Sequence, residues 1–212
     1  MNNEQEKFWK GNFGNNYISR NKFRNQKEFD NFYIRRYGET KKNINLKFLK
    51  GINKNKPILE VGCNIGNQLK IFEDIGFKKL FGIDINIKSL KKAKKNINLN
   101  IVESSGFDIP FKDNYFNLVF TNNVLIHIHP KNLDKIFDEI YRVSNKYIFG
   151  FEYFNDKLIE IKSRNYKNKL WKGDYANILL KKYKNLRLVK EKIYENKDVK
   201  NIYDKIYLLK KI

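Results

Sequence analysis

The chain has 212 residues, 41% of them hydrophobic and 15% aromatic, with one cysteine and a formal net charge of +21. This is enough apolar material for one packed domain, which excludes a disordered polyelectrolyte, and no apolar run reaches the length of a membrane span. A lone Cys63 excludes a disulfide framework, and the opening "MNNEQEKFWKGNFG" lacks the apolar centre of a secretion signal, so a reducing cytoplasm is the expected compartment.

Residues 1–50 are aromatic and basic, with helical spacing in "NNEQEKFWK" and again from Lys27 to Tyr37. Trp9, Phe13 and Tyr17 recur every four residues and line one helix face if the helix survives Gly11 and Gly14. Such a stripe either packs a core or, on a segment that two glycines loosen, serves as a lid. From Pro57 short apolar runs alternate with amphipathic stretches. Strands are expected at 57–61, 79–83, 100–103, 116–121 and 146–153, and helices at 66–75, 87–95 and 131–143. That alternation indicates a parallel sheet covered on both faces. Segments 186–195 and 201–211 alternate apolar and polar residues around "NKDVK", which predicts an antiparallel hairpin closing the sheet. The whole chain, 1–212, reads as a single doubly wound α/β domain. Its parts are an N-terminal helical lid (1–50), a ligand-binding core (51–154), and a final segment (155–212) that covers the site and supplies the hairpin.

The positive charge is mostly lysine scattered among asparagines and isoleucines, as a compositional bias would place it on solvent-facing positions. The one dense basic run, Lys88 to Lys95, falls on an expected surface helix and reads as a solvated face or as a phosphate-binding stripe.

The turn "EVGCNIGNQ" carries the first chemical signal. The chain leaves a buried strand at Val61, turns at Gly62 and enters a helix near Gly66, so backbone can lie against a ligand and unpaired helical amides can meet it. Asn64 stands where such loops often use a third glycine, and asparagine tolerates the left-handed conformation. Cys63 then acts through its backbone and small volume. Glycines alone fit a plain strand–helix turn equally well. Asp84, at the end of the second strand, adds the carboxylate that open α/β sheets use to accept both ribose hydroxyls of an adenine cofactor. The loop lacks the G-x-G-x-x-G glycines that make room for a pyrophosphate, which disfavours a dinucleotide. A third segment, "ESSGFDIPFKDNYFNLVFTNN", follows the third strand.

Taken in order, these three segments resemble class I S-adenosylmethionine-dependent methyltransferases. Ile109-Pro110-Phe111 and Asp113 to Val119 match the family's "LPF-x-D-x-x-F-D-hydrophobic" run, with Asn117 in place of the usual aspartate. The resemblance implies a seven-stranded, mostly parallel Rossmann-like sheet whose reversed seventh strand lies between the fifth and sixth. It implies S-adenosylmethionine as cofactor, held by Glu60, Gly62, Cys63, Asn64, Gly66, Asn67, Gln68, Asp84, Ile85, Ser105, Gly106, Phe107, Asn122 and Asn123. Phe107 reads equally as a core residue.

"EQEKFWKGNFGNNYISRN", "VLIHIHP", "IYRVSNKYIFGFEYFN" and "KLWKGDY" resemble more closely the pseudaminic acid biosynthesis-associated methylases, from the first helix to about Tyr175. The ending "DVKNIYDKIYLLKK" departs from that family, which puts the substrate in doubt more than the cofactor. This likeness implies a lid of Phe13, Gly14, Tyr17 and Arg20 over the cofactor. It also implies a sugar, sugar nucleotide or other small glycan precursor as acceptor.

Methyl transfer from a sulfonium needs alignment and exclusion of water, and a base only for a hydroxyl or protonated amine acceptor. His127, after the fourth strand, is the candidate catalytic base, or else a histidine that packs and hydrogen-bonds in its helix start. His129 precedes Pro130 and reads as structural; no third histidine or cysteine supports a metal site. Candidate acceptor contacts are Trp9, Arg35, Arg36, Glu152, Tyr153, Arg164 and Trp171. Two alternatives stay open: an RNA or DNA methyltransferase using the basic surface, and a protein that binds S-adenosylmethionine without turning it over.

Overall fold

The computed structural model describes residues 4–20, 22–96, 100–162 and 166–212. Four helices come first: α1 (Glu4–Lys10), α2 (Asn12–Arg20), α3 (Gln26–Tyr37) and α4 (Lys41–Leu49). The alternating region gives β1 (Pro57–Val61), α5 (Asn67–Ile75), β2 (Lys79–Asp84), α6 (Ile87–Asn96), β3 (Asn100–Glu103) and β4 (Phe116–Asn122). Two short 3-10 turns, Leu125–His127 and Pro130–Asn132, lead into α7 (Leu133–Val143) and β5 (Ser144–Phe154). A two-stranded ribbon of β6 (Ile159–Glu160) and β7 (Trp171–Lys172) precedes α8 (Tyr175–Lys182), β8 (Leu186–Glu195) and β9 (Tyr203–Lys211).

The main sheet has seven strands in the order β3-β2-β1-β4-β5-β9-β8. Strands β3 to β5 run parallel, and β9 is antiparallel to both of its neighbours. The reversed last strand therefore lies where the resemblance puts it. Strand β4 is buried on both faces because its alternate side chains feed two cores. Leu118 and Phe120 join Ile44, Phe48 and Phe72 beneath α3 to α5, and Val119 joins Ile136, Phe137 and Tyr175 beneath α7 and α8.

Several elements differ from their expected form. The first helix stops at Lys10, and Gly11 separates α1 from α2. A Cβ on Gly14 would lie 1.8 Å from the Trp9 carbonyl oxygen, so only glycine lets α2 fold back against α1. Helices α4 and α8 and the β6–β7 ribbon carry no strong periodic signal, and they form through packing. The alternation of β8 is not expressed as one buried and one exposed face. Leu188, Val189 and Ile193 are all exposed on this edge strand, whose register shifts between Leu188 and Lys190. Of the N-terminal segment, α1, α2 and α3 line the cavity, whereas Ile44, Phe48 and Leu49 of α4 are buried in the core. Among the described residues no helix is long and apolar enough to cross a membrane.

Candidate active site

The carboxyl ends of β1, β2 and β4 open into a cavity of about 580 Å³, roofed by α1 and α2 and bounded at one side by α3. Parallel strands converge here with their loops, which is where doubly wound sheets leave room for a ligand. The loop after β1 is shaped by left-handed backbone: Gly62 has φ 75°, Asn64 φ 48° and Gly66 φ 84°. A side chain at Gly62 would meet Val124 Cγ2 at 2.6 Å, so this residue must be glycine on steric as well as torsional grounds. Cys63 is buried, and its Sγ lies 2.8 Å from where a Cβ on Gly82 would stand; the thiol fits because the facing residue has no side chain.

Asp84 braces the loop. Its Oδ2 accepts from the Asn64 N–H at 2.9 Å and its Oδ1 from the Asn86 N–H at 2.8 Å. Burial raises its pKa, against those two amide bonds. Glu60, also buried, is raised well above the usual carboxylate range by burial and then by the nearby charge of Asp84. Among the described residues, five buried oxygens in the cavity wall have no hydrogen-bond partner: Glu60 Oε2, Gln68 Oε1, Ser89 Oγ, Asn122 Oδ1 and Asn123 Oδ1. Buried acceptors are normally satisfied, so this wall is built for a ligand that brings donors or positive charge. S-adenosylmethionine, with an ammonium, two ribose hydroxyls and a sulfonium, fits that requirement.

The roof is tied down by side chains far away in sequence. Gln5 Nε2 donates to the His127 carbonyl at 2.7 Å, and Gln5 Oε1 accepts from the His129 N–H at 2.8 Å. Asn86 Nδ2 donates to the Trp9 carbonyl at 2.9 Å, while its Oδ1 caps α6 by accepting from Lys88 and Ser89 N–H. Ser105 Oγ donates to Glu6. Trp9 packs edge-on against Phe13, Tyr17 and His127, with centroids 4.6 to 5.2 Å apart, so the aromatic stripe survives the break at Gly11. Of the anchors Gln5, Glu6 and Asn86, only Asn86, two residues after Asp84 and opening α6, carries a local sequence signal, as a helix cap.

His127 lines the cavity and is half-buried. Its Nδ1 lies 3.1 Å from the Lys169 carbonyl, which can only accept, so Nδ1 carries the proton and Nε2 keeps a free lone pair. Burial lowers its pKa to about 4, so the ring is neutral near pH 7. His129 caps the second 3-10 turn through Nδ1 and stacks edge-on against Trp171.

Phe13, Tyr17, Arg20, Glu60, Gly62, Cys63, Asn64, Asn67, Gln68, Asp84, Ile85, Ser105, Gly106, Phe107, Asn122, Asn123, Trp9, Arg36 and Tyr153 all line the cavity together with His127. Four other expected contacts do not. Gly66 serves the turn behind it, ahead of α5. Glu152 is buried and accepts from Val124 and Ile126 N–H, so it holds the turn after β4 and does not face an acceptor. Burial raises its pKa to about 7. Trp171 is buried against His129, and Arg35 is 65% exposed and paired with Asp198. Arg164 lies outside the described residues. Of the segment 155–172, Leu170 reaches the cavity, and Tyr166 braces Phe8 and Phe13 of the roof.

This sheet order, with an acidic residue closing β2 and a left-handed loop after β1, defines the Rossmann-like class I methyltransferase fold. Residues 59–146 match the family described as a methyltransferase domain. The structure is similar to magnesium protoporphyrin IX methyltransferase from Synechocystis PCC 6803, solved with bound S-adenosylhomocysteine, at TM-score 0.68 and 12% identity over 98% of each chain. In sequence the chain is 28% identical over 100 residues to sterol 24-C-methyltransferase of Pneumocystis carinii, covering 44% of this chain and 26% of that protein. It is 29% identical over 105 residues to an uncharacterized protein of Haemophilus influenzae, covering 44% and 40%. The chain thus spans less than half the length of these curated relatives. The fold is that of the class I methyltransferases, and residues 59–146 match a methyltransferase domain.

Proposed function

We propose that the protein methylates a small molecule, with a sugar, nucleotide sugar or other surface-glycan precursor of the pseudaminic-acid type as acceptor. The observation that carries the small-molecule reading is the donor-seeking wall of Glu60, Gln68, Asn122 and Asn123 under a roof pinned at Gln5 and Asn86. A roof of this kind suits an acceptor that is swallowed whole. The glycan precursor rests on the sequence resemblance of the first helix and of the segments after β4 and β5. A cytoplasmic setting rests on the lone, buried Cys63.

Bound S-adenosylmethionine supplies a methyl group already activated on a sulfonium. The residues of the chain do the rest. Asp84 and the loop from Gly62 to Asn67 hold the adenosyl end, with Ser105, Gly106 and Phe107 against the base. Glu60, Gln68, Asn122 and Asn123 satisfy donors at the amino-acid end. Trp9, Phe13 and Tyr17 exclude water, and His127 Nε2 accepts a hydrogen bond, and then the proton, from a hydroxyl or amine acceptor. The lone pair is available because the Lys169 carbonyl fixes the tautomer.

The net charge of +21, with Lys88, Lys91, Lys92 and Lys94 exposed on α6, favours an RNA or DNA acceptor as the second reading. Labelled methyl transfer into a fractionated lysate decides between them: counts in acid-soluble sugars support the first reading, and counts in nucleic acid overturn it. Tight S-adenosylmethionine binding with no transfer to any fraction leaves a protein that binds without turnover.

A further inference from the structure

The cavity is electrically lopsided. Its β1–β4 wall presents unpartnered oxygens, while its α2–α3 end presents two guanidinium groups, Arg20 and Arg36, among aromatic rings. Phe23 packs edge-on against Phe29 at 4.9 Å and Phe32 at 5.3 Å, and Phe29 lies 4.9 Å from Tyr33. These rings are contiguous with the cofactor loop, because Gln68 Nε2 donates to the Tyr33 hydroxyl at 3.1 Å.

Arg36 is built into this end. Its guanidinium lies 4.0 Å above the Phe32 ring, and its Nε donates to Asp198 Oδ2 at 3.1 Å. Asp198 is itself set by the turn between β8 and β9, where the Asn196 side chain receives its N–H and the Arg36 carbonyl accepts from the Lys197 N–H at 3.1 Å. The Nε bond leaves both Nη groups with no other hydrogen bond among the described residues, in a side chain only 25% exposed. Arg20 stands over Phe13 at 5.2 Å with no carboxylate in ion-pair reach among the described residues. A guanidinium held by a ring below and a carboxylate on one edge presents its other edge as a ready fork for an anion.

We propose that this aromatic, arginine-bearing end of the cavity is the acceptor subsite, and that it takes a ring compound carrying a carboxylate or phosphate, with Arg36 as the residue that selects the anion. This rests on the methyltransferase reading of the same cavity. Aromatic faces pack equally well on a planar ring or on the apolar face of a sugar, so the shared chemistry is a ring with an anionic substituent. Its electrostatics complement the rest of the cavity: the cofactor's positive charge sits against the oxygens and the acceptor's negative charge against the arginines. His127 and Tyr153 line the same cavity, where they are available to an acceptor nucleophile.

The test is calorimetric and uses three probes: S-adenosylhomocysteine, phenyl phosphate and glucose 1-phosphate. Each anion is titrated into the full-length protein alone and into its S-adenosylhomocysteine complex. At least one phosphate should bind the complex, with phenyl phosphate and glucose 1-phosphate distinguishing an aromatic acceptor from a sugar. Arg36→Ala should weaken that binding by about tenfold or more, the size expected for a charge-assisted fork, while S-adenosylhomocysteine affinity changes less than about twofold. Arg35→Ala, which also loses a bond to Asp198 but lies outside the cavity, should leave anion binding unchanged. Arg36→Lys keeps the charge without the fork and guards against a folding artefact; it should recover only part of the binding. Binding of neither phosphate, or an Arg36→Ala loss that falls equally on S-adenosylhomocysteine, overturns the proposal, the latter because the guanidinium would then serve the cofactor's own carboxylate. Failure of S-adenosylhomocysteine to bind at all sinks the methyltransferase reading separately, since the anion titrations of the unliganded protein still score Arg36.

Discussion

Gln5 and His127 are joined across 122 positions of sequence: the Gln5 amide donates to the His127 carbonyl at 2.7 Å, and its oxygen receives the His129 N–H. One buried side chain therefore couples the first helix to the segment that carries the candidate base. Gln5→Ala removes two hydrogen bonds worth about 1–3 kcal/mol together, so the roof should dock less often and cofactor affinity should fall roughly tenfold. Hydrogen exchange should rise over residues 4–20 with little change in the sheet. A variant that binds as tightly as the parent shows that the roof contributes nothing to retention.

Asp84 holds the loop through two backbone amides before any ligand arrives. Asp84→Ala leaves those donors unpaired and removes the expected ribose partner. S-adenosylhomocysteine binding should weaken by about a hundredfold or more, read by equilibrium dialysis. A loss of less than about threefold would remove Asp84 from the cofactor site.

Much of this half of the site was legible because it is local. Gly62, Asn64 and Asp84 lie in two short stretches whose backbone needs show directly in residue type, and Asn64 adopts the left-handed conformation expected of it. The roof was legible only as a stripe. Its anchors, Gln5 and Asn86, are ordinary polar residues whose partners lie 122 and 77 positions away; Asn86 is marked locally as a helix cap, but nothing local points to its contact with the roof. Glu152 and Trp171 read in sequence as acceptor contacts because their strand ends reach the right edge of the sheet. Side-chain direction decided otherwise, turning one onto backbone amides and the other onto His129. Helix α8 leaves little trace in the sequence because only eight residues form it, held by an Asp174 cap and by the burial of Tyr175, Ala176 and Leu179.

His127 gives a pH signature. Burial holds its pKa at about 4, so the neutral ring persists well below the range of an ordinary histidine. Turnover should therefore show no His127 limb between about pH 6 and 8, and His127→Ala should slow transfer by about 10²-fold or more without loss of cofactor affinity. An acidic limb near pH 6.5 that vanishes in the variant would contradict the neutral ring. Stability follows the same sign. A folded pKa below the unfolded value contributes stability present above about pH 6.5, which is lost as the pH falls through about 4.

Glu60 predicts the opposite sense for binding. Burial and the neighbouring Asp84 raise its pKa, so it holds a proton more readily before a cation arrives. Binding of the positively charged S-adenosylmethionine should expel that proton and tighten as pH rises. S-adenosylhomocysteine keeps the same ammonium and should show a dependence of the same sense, lost in Glu60→Gln. Binding that is independent of pH for both compounds would place Glu60 away from the amino-acid end.

Gly14 tests the fold of the roof by itself. A methyl group there would sit 1.8 Å from the Trp9 carbonyl oxygen. Gly14→Ala should separate α2 from α1, with tryptophan fluorescence shifting as Trp9 leaves His127 and Tyr17. The melting temperature should fall only modestly, because the sheet is untouched. An unchanged spectrum and full cofactor affinity would mean that the two helices need not pack as seen.

Strand β9 fills the gap between β5 and β8, pairing Tyr147 with Lys210 and Phe154 with Tyr203. During synthesis, β1 to β5 can assemble while residues 203–211 are still inside the ribosome, leaving one flank of β5 without its neighbour. Nascent chains stalled before Tyr203 should thus be sticky, protease-sensitive clients of chaperones, and maturation should occur in a late step once that last strand slides home.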